Sequence, residues 1–233
     1  MSLLSPRSFE KLGKYSETLR SRVFQIEIVT DFWGHWTPPT PNRTQHSKQQ
    51  PVVTENSVAK SPSTSWIIEP FDRLSHDRSG FDCGIPILND WLTTKVSQFE
   101  KKDLARTYVL IETGSTLVKG YYALSNHTVI YESLPADQAK GLPQIDMPVV
   151  LIGRLAVDRS VQGQKLGEFL LIDALRRAEY LATKIGIRAV EVDAINQTAK
   201  LFYERYGFLT LSDDPHHLFL PLNIIRKLQL PPL

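Results

Sequence analysis

Arg154-Leu155-Ala156-Val157-Asp158-Arg159-Ser160-Val161-Gln162-Gly163-Gln164-Lys165-Leu166-Gly167 is the stretch that decides the fold. An apolar, β-branched run stops in a Gly/Gln loop. From Lys165 onward, apolar residues recur at Leu166, Phe169, Leu170, Ala174, Ala178 and Leu181, which is one face of a helix, and Gly186 ends it. A strand that turns straight into a helix gathers several free backbone N–H groups and the positive end of the helix dipole around one small volume, a geometry that holds phosphate. The loop lacks the Gly-Lys-Ser/Thr ending of a P-loop and the Gly-x-Gly-x-x-Gly of a dinucleotide fold, so a different diphosphate ligand is expected. The bland alternative is an ordinary strand-to-helix turn.

Working outward, Ile187 to Ala194 reads as a strand that returns parallel to the one before the loop. Asn196-Gln197-Thr198-Ala199-Lys200-Leu201-Phe202-Tyr203-Glu204-Arg205-Tyr206-Gly207-Phe208 reads as an Asn-started helix stopped by a glycine. Upstream, Trp66 to Glu69 is a short strand. Pro86 to Glu100 carries Ile87, Leu88, Trp91, Leu92, Val96 and Phe99 at helical spacing. Arg106 to Glu112 and Leu117 to Thr128 flank the turn Thr113-Gly114-Ser115 and form a hairpin, and Val149 to Val157 is a further strand. The expected class is α/β (α+β), with a mixed, mostly antiparallel sheet flanked by helices.

The loop, its helix, the following strand and the Asn-started helix together resemble the acyl-CoA-binding core of the GNAT N-acetyltransferases. There the loop reads Gln/Arg-x-x-Gly-x-Gly/Ala. Gln162 and Gly167 match, while Lys165 stands at the usual middle glycine. A lysine there obstructs the phosphate if positive φ is required; in a helical conformation it still offers its N–H, and its ammonium favours a diphosphate. The resemblance extends upstream through Phe81-Asp82-Cys83-Gly84, Leu88-Asn89-Asp90-Trp91-Leu92, Ala105-Arg106-Thr107-Tyr108-Val109, Gly120-Tyr121-Tyr122-Ala123-Leu124-Ser125 and Gly153-Arg154-Leu155-Ala156-Val157-Asp158. That order of blocks is similar to the TacT-like acetyltransferase toxins, over about residues 66 to 221.

The resemblance implies a GNAT fold whose central strands splay to admit acetyl-CoA, with the backbone of Leu155, Ala156 and Val157 along the pantetheine arm. It places Gln162, Gly163, Gln164, Lys165, Leu166 and Gly167 at the pyrophosphate, with Asn196 also at the cofactor. It implies acetylation of the α-amino group of aminoacyl-tRNA, a block on translation, and neutralisation by a ribbon-helix-helix antitoxin. A homodimer is expected, and no metal.

Acyl transfer from a thioester to an amine needs a neutral nucleophile, stabilisation of the oxyanion and a proton for the departing thiolate. A tyrosine of ordinary pKa about 10 can protonate a thiolate whose conjugate acid lies near about 8.5. Tyr203 occupies the Phe-Tyr position where the TacT-like pattern carries its catalytic tyrosine. Tyr206, one turn on, competes for the role, and both could simply fill the core. Many members that acetylate lysine carry a glutamate near the centre of the strand that holds Arg154; here no acid appears before Asp158. An α-amine, with pKa about 7.7, needs less help than a lysine at about 10.4, so an α-amino substrate is favoured. Arg154 is then free for an anionic group, its plain alternative being a salt bridge to Asp146, Asp158 or Glu191.

Composition sets the remaining bounds. The 233 residues, 42% of them hydrophobic, suffice for one catalytic domain. Residues 65–233 hold 19 Lys/Arg against 20 Asp/Glu, so tRNA contact must come from local patches: Arg78, Lys101, Lys102, Arg106 and Arg154, with Arg73, Arg159 and Lys165 as further candidates. Cys83, the single cysteine, forms no intrachain disulfide and suits a small buried position in a cytoplasmic protein. No run approaches a membrane span, and no zinc spacing or serine triad appears among six histidines. Residues 1–36 form an extension of unassigned role. Residues 37–64, rich in Ser, Thr and Pro, read as a disordered linker, and 65–233 as the acetyltransferase domain. Two rival readings remain: an ordinary GNAT acting on a small amine or protein N-terminus, and a catalytically weak protein that acts with an antitoxin on DNA.

Overall fold

The computed structural model describes residues 65–233; the extension 1–36 and the linker 37–64 lie outside the described residues. Seven strands form one sheet: β1 Trp66–Pro70, β2 Arg106–Glu112, β3 Val118–Val129, β4 Met147–Val157, β5 Ala189–Asp193, β6 Leu209–Thr210 and β7 His217–Pro221. Their spatial order is β1-β2-β3-β4-β5-β7-β6, antiparallel throughout except for the parallel pair β4 and β5. The helices are α1 Pro86–Asp90, α2 Val96–Lys101, α3 Ala136–Ala139, α4 Leu166–Leu181, α5 Gln197–Arg205 and α6 Leu222–Ile225. Among the described residues no helix is long and apolar enough to cross a membrane.

The expected helix over Pro86 to Glu100 is broken by one π-turn, Trp91–Lys95, between α1 and α2. There Thr93 and Thr94 donate their hydroxyls to the carbonyls of Asn89 and Asp90, the back-bonding that competes with a regular helical ladder. The apolar periodicity survives the break, and it turns Trp91, Leu92 and Val96 onto Val109, Ile111, Tyr121 and Ala123 on one face of the sheet. The long helix α4 covers the other face. Its Leu166, Leu170, Leu171, Ala174, Leu175 and Ala178 pack against Val150, Ile152, Val190, Val192, Leu218 and Leu220.

Helix α5 begins where expected, with the Asn196 side chain accepting the Ala199 N–H at 2.9 Å. It ends with Gly207 at φ +85 and Phe208 N–H reaching back to the Tyr203 carbonyl at 3.2 Å, a left-handed C-terminal cap. The strands β6 and β7 and the segment around α3 carry little amphipathic signal, being two to five residues long, and tertiary contacts hold them. Val129, Leu134, Met147, Val149, Ala189, Leu211 and Phe219 form a third apolar cluster under them.

Candidate active site

The parallel pair β4 and β5 is short: Val149 faces Ala189, Val150 faces Val190 and Leu151 faces Glu191. Beyond Leu151, residues 152–157 of β4 continue with β3 alone. The strand bends there because Ile152 pairs with Leu124 and Arg154 with Ala123, leaving Gly153 as the extra residue of a bulge. The backbone of Leu155, Ala156 and Val157 therefore borders an opening in the middle of the sheet, with groups unpaired toward β5.

At the outer end of this opening the loop runs into α4. Its first helical hydrogen bond is Phe169 N–H to the Lys165 carbonyl at 3.1 Å, so the amides of residues 163–168 have no carbonyl one turn back. Gln162 behaves differently. Its side-chain amide donates to the carbonyls of Val157 at 2.9 Å and Cys83 at 3.2 Å, and so it braces the loop from behind.

Gly163 and Lys165 are both left-handed, at φ +82 and +59. Lys165 is thus not helical as a residue; it is the N-cap position of α4, forced into a conformation glycine adopts freely. Lys165→Gly is expected to stabilise the fold by about 1 kcal/mol, read as a higher melting temperature, with acetyl-CoA affinity kept. Gly167 has no such constraint. A Cβ there would lie 3.9 Å from the Phe202 ring and from Val157 Cγ2, so alanine fits. Gly167→Ile is expected to press Phe202 into the opening and weaken acetyl-CoA at least about tenfold, near 1.4 kcal/mol, by calorimetry; unchanged affinity removes the loop from the site.

Asp158 holds the loop in place. It accepts the N–H of Asp82 at 3.0 Å, the N–H of Ser160 at 3.0 Å, the Ser160 hydroxyl, and the Lys119 ammonium at 3.4 Å. Burial pushes its carboxyl up, but these donors outweigh that and hold it below the usual range. The Asp82 carboxylate in turn accepts Gly84 N–H at 2.8 Å and Asn89 Nδ2 at 2.7 Å, and it pairs with Arg159 at 3.2 Å. Gly84 lies under the Arg159 guanidinium, where a Cβ would come within 2.7 Å, and its φ of +87 also favours glycine. Cys83 is buried, its thiol donating to Asn89 Oδ1 at 3.0 Å, and burial raises its pKa, which suits an inert small residue. The upstream blocks of sequence are therefore the brace of the loop.

Tyr203 is 7% exposed and lies in the core cluster against which Leu155 and Val157 of β4 pack. Its ring contacts Phe202 and Phe208. Burial alone raises its pKa, so the hydroxyl stays protonated, with no hydrogen bond to any described residue. Tyr206 is also buried, and burial and then the nearby Glu168 raise its pKa. Of the two, Tyr206 has a carboxylate, Glu168, acting on its hydroxyl, while Tyr203 has burial alone.

The candidate cations divide sharply. Arg154 makes no salt bridge to Asp146, Asp158 or Glu191; its guanidinium stacks 4.5 Å from the Trp91 ring and 5.5 Å from Phe99, and burial is the main influence lowering its pKa. Arg78 packs over Phe71 and donates to the Thr93 carbonyl at 3.3 Å, so it ties the loop to the π-turn. Arg106 is held by Asp103 at 2.5 Å and Glu100 at 3.4 Å. Lys101 and Lys102 are exposed at the end of α2, and Lys101 shares a surface groove with Arg73. Arg159 is paired to Asp82, and Lys165 is exposed on the loop. Arg154 alone joins the opening as a charge without a carboxylate.

Residues 105–209 match the acetyltransferase (GNAT) domain family. The chain is 32% identical over 179 residues to "Probable toxin TacT" of Sinorhizobium fredii (strain NBRC 101917 / NGR234), covering 73% of this chain and 99% of that protein. The chain belongs to the TacT-like GNAT acetyltransferases. It is also 36% identical over 152 residues to a "tRNA-acetylating toxin" of Mycobacterium tuberculosis (strain ATCC 25618 / H37Rv), covering 65% of this chain and 90% of that one. Among solved structures, AtaT complexed with acetyl-methionyl-tRNAfMet superposes with a TM-score of 0.67 at 33% identity, covering 71% of this chain and 99% of the other. A tyrosine-to-phenylalanine mutant of AtaT bound to the C-terminus of the antitoxin AtaR gives 0.61 at 30% identity, covering 70% and 97%.

One group of this acetyltransferase escaped sequence reasoning. Glu191 is 0% exposed, at the last paired position before β4 and β5 part. His127 Nδ1 meets its Oε2 at 2.7 Å, and His217 Nε2 meets its Oε1. An acid inside Ala189-Val190-Glu191-Val192 was the available signal, since an unpaired carboxylate is rarely placed in a buried strand. Its partners come from β3 and β7 and could not be paired to it without the register.

Proposed function

We propose that this acetyltransferase moves the acetyl group of acetyl-CoA onto the α-amino group of aminoacyl-tRNA and thereby blocks translation as the toxin of a toxin-antitoxin pair. The observation that carries the reading is the unengaged Tyr203 hydroxyl, connected through Phe202 to Gly167 and the free loop amides. The residues present fit acetyl-CoA: amides of 163–168 and the end of α4 for the diphosphate, and the unpaired edge of 155–157 for the pantetheine amides. Asn196 shapes this side by capping α5, which carries Tyr203.

Chemically, Tyr203 supplies the proton that the departing thiolate needs, from a position where burial keeps it protonated until then. Arg154, charged and free of carboxylates on its aromatic shelf, is placed for an anionic part of the acceptor such as the phosphate next to the charged adenosine. Lys101 and Lys102 extend that cationic contact, whereas Arg78 and Arg106 serve mainly the protein itself.

The relatives' names support the tRNA acceptor, and the AtaT complex with AtaR supports an antitoxin, here of ribbon-helix-helix type. A cytoplasmic site of action and a homodimer belong to the same reading. The test is transfer from labelled acetyl-CoA to bulk charged tRNA, with sedimentation to fix the oligomer. Label in the aminoacyl-ester fraction is expected; label only on a small amine or a protein N-terminus would overturn the tRNA acceptor.

A further inference from the structure

The opening between β4 and β5 is lined on the α4 face by Tyr203. On the opposite face, the one that carries Arg154, a chain of ionisable groups runs from the interior to the surface. Ser133 donates its hydroxyl to Asp213 at 3.1 Å. His217 lies between Asp213 and Glu191, with Nδ1 at 2.9 Å from Asp213 Oδ2 and Nε2 against Glu191 Oε1. A carboxylate can only accept, so His217 donates through both nitrogens and is held as an imidazolium. Burial pushes its pKa down, but Glu191 and Asp213 outweigh this and raise it. That positive charge lies against a Glu191 side chain only 1% exposed, where a buried carboxylate needs a partner. The remaining oxygen of Glu191 accepts Nδ1–H of His127, which fixes the tautomer and leaves the Nε2 lone pair free. The side chain of His127 is 51% exposed.

The placement gives this array a task. Glu191 pairs with Leu151, where β4 and β5 separate, and His127 leans toward it from β3, opposite Val149. The other residues of β4 that face His127, Val149 and Leu151, are apolar; the further charges on that face are Asp193, exposed two residues beyond Glu191 on β5 and opposite His217, and Arg154 on β4. We propose that Glu191 and His127 form a proton-accepting dyad for the acceptor amine, His127 Nε2 as the catalytic base and Glu191 as its positioning residue; the proposal rests on the acetyl-transfer reading given above.

The α-ammonium gives one proton to His127 Nε2, and the freed nitrogen lone pair attacks the thioester carbonyl carbon. A C–N bond forms, the C–S bond breaks, and its electron pair leaves with sulfur. Tyr203 protonates the sulfur and recovers the second proton from the adduct nitrogen. The products are the amide, the free thiol of CoA, and an imidazolium at His127 that returns its proton to water. Acid and base thus act from opposite faces of the sheet.

The test measures CoA release by the full chain with two acceptors, bulk charged tRNA and an amino-acid amide, for the wild type, His127→Gln and His127→Ala. At about pH 6.5, where an α-amine is mostly protonated, both variants are expected to be roughly 10²-fold slower in kcat with acetyl-CoA affinity unchanged; His127→Gln, whose amide can still donate to Glu191, should keep the melting temperature, and His127→Ala should lower it. By about pH 9 the amide is already neutral and the deficit should shrink to a few-fold. Imidazole added to His127→Ala should restore turnover at the lower pH, which a merely structural histidine would not allow. A deficit equal at both pH values and indifferent to imidazole overturns the dyad, as does wild-type turnover in either variant. If the wild type acetylates only the amide, the tRNA reading falls while the same comparison still decides the dyad. If it acetylates neither, both fall.

Discussion

Tyr203→Phe is expected to lower acetyl transfer by roughly 10² to 10⁴-fold while leaving the fold and acetyl-CoA affinity intact. The hydroxyl has no partner among the described residues, so removing it leaves no donor or acceptor stranded, and the ring that fills the core between Phe202 and Phe208 is kept. The effect should therefore appear in kcat and not in the melting temperature. Tyr206→Phe is the informative companion, since it removes the other buried hydroxyl one turn along α5, beside Glu168; activity retained is expected. Growth arrest on expression should vanish with Tyr203→Phe and persist with Tyr206→Phe. The reverse pattern would move the acid one turn along α5. Arrest by both variants at the parent's level would detach toxicity from acetyl transfer and favour a protein that acts by binding.

Asp158→Ala carries the largest expected cost to the fold. Its carboxylate is 5% exposed and gathers four donors, two of them backbone amides and one the Lys119 ammonium. Leaving them unpaired should cost about 3 kcal/mol, measured by denaturant unfolding, and should also weaken acetyl-CoA because the loop loses its anchor. The dependence on pH follows from the same bonds. The folded carboxyl titrates below its ordinary 3.8, so as pH falls the unfolded chain takes up the proton first. Its contribution is complete above about pH 5 and is lost as pH falls through the folded value. Wild type and Asp158→Ala should therefore differ most near neutrality and converge in acid. A constant difference at every pH would place the cost in packing.

Elements of strong period and clear caps could be read directly from the chain. The Gly/Gln loop before α4, the Asn196 cap of α5 and the apolar stripe of α1 and α2 are local patterns: neighbours in sequence make the caps and stripes that define them. The order of blocks likewise identified the acetyltransferase family, because a motif is a local record of chemistry. Several sites were decided elsewhere. That Lys165 takes a left-handed conformation depends on how the loop must double back from β4 into α4. That Gln162 braces the loop, and that Arg154 stacks on Trp91 and Phe99 instead of joining Asp146, Asp158 or Glu191, depends on the bulge at Gly153 and on helices 53 to 63 residues upstream of Arg154. The array of His127, Glu191, His217 and Asp213 depends on register across four strands. By itself the sequence determined the strongly periodic and capped elements and the family of reaction, since both are written in residues close together in the chain, while β6, β7 and α3 form only through tertiary contacts. Only the tertiary structure decided which charges meet, because a buried carboxylate takes its partners from wherever the sheet brings a donor within hydrogen-bond reach.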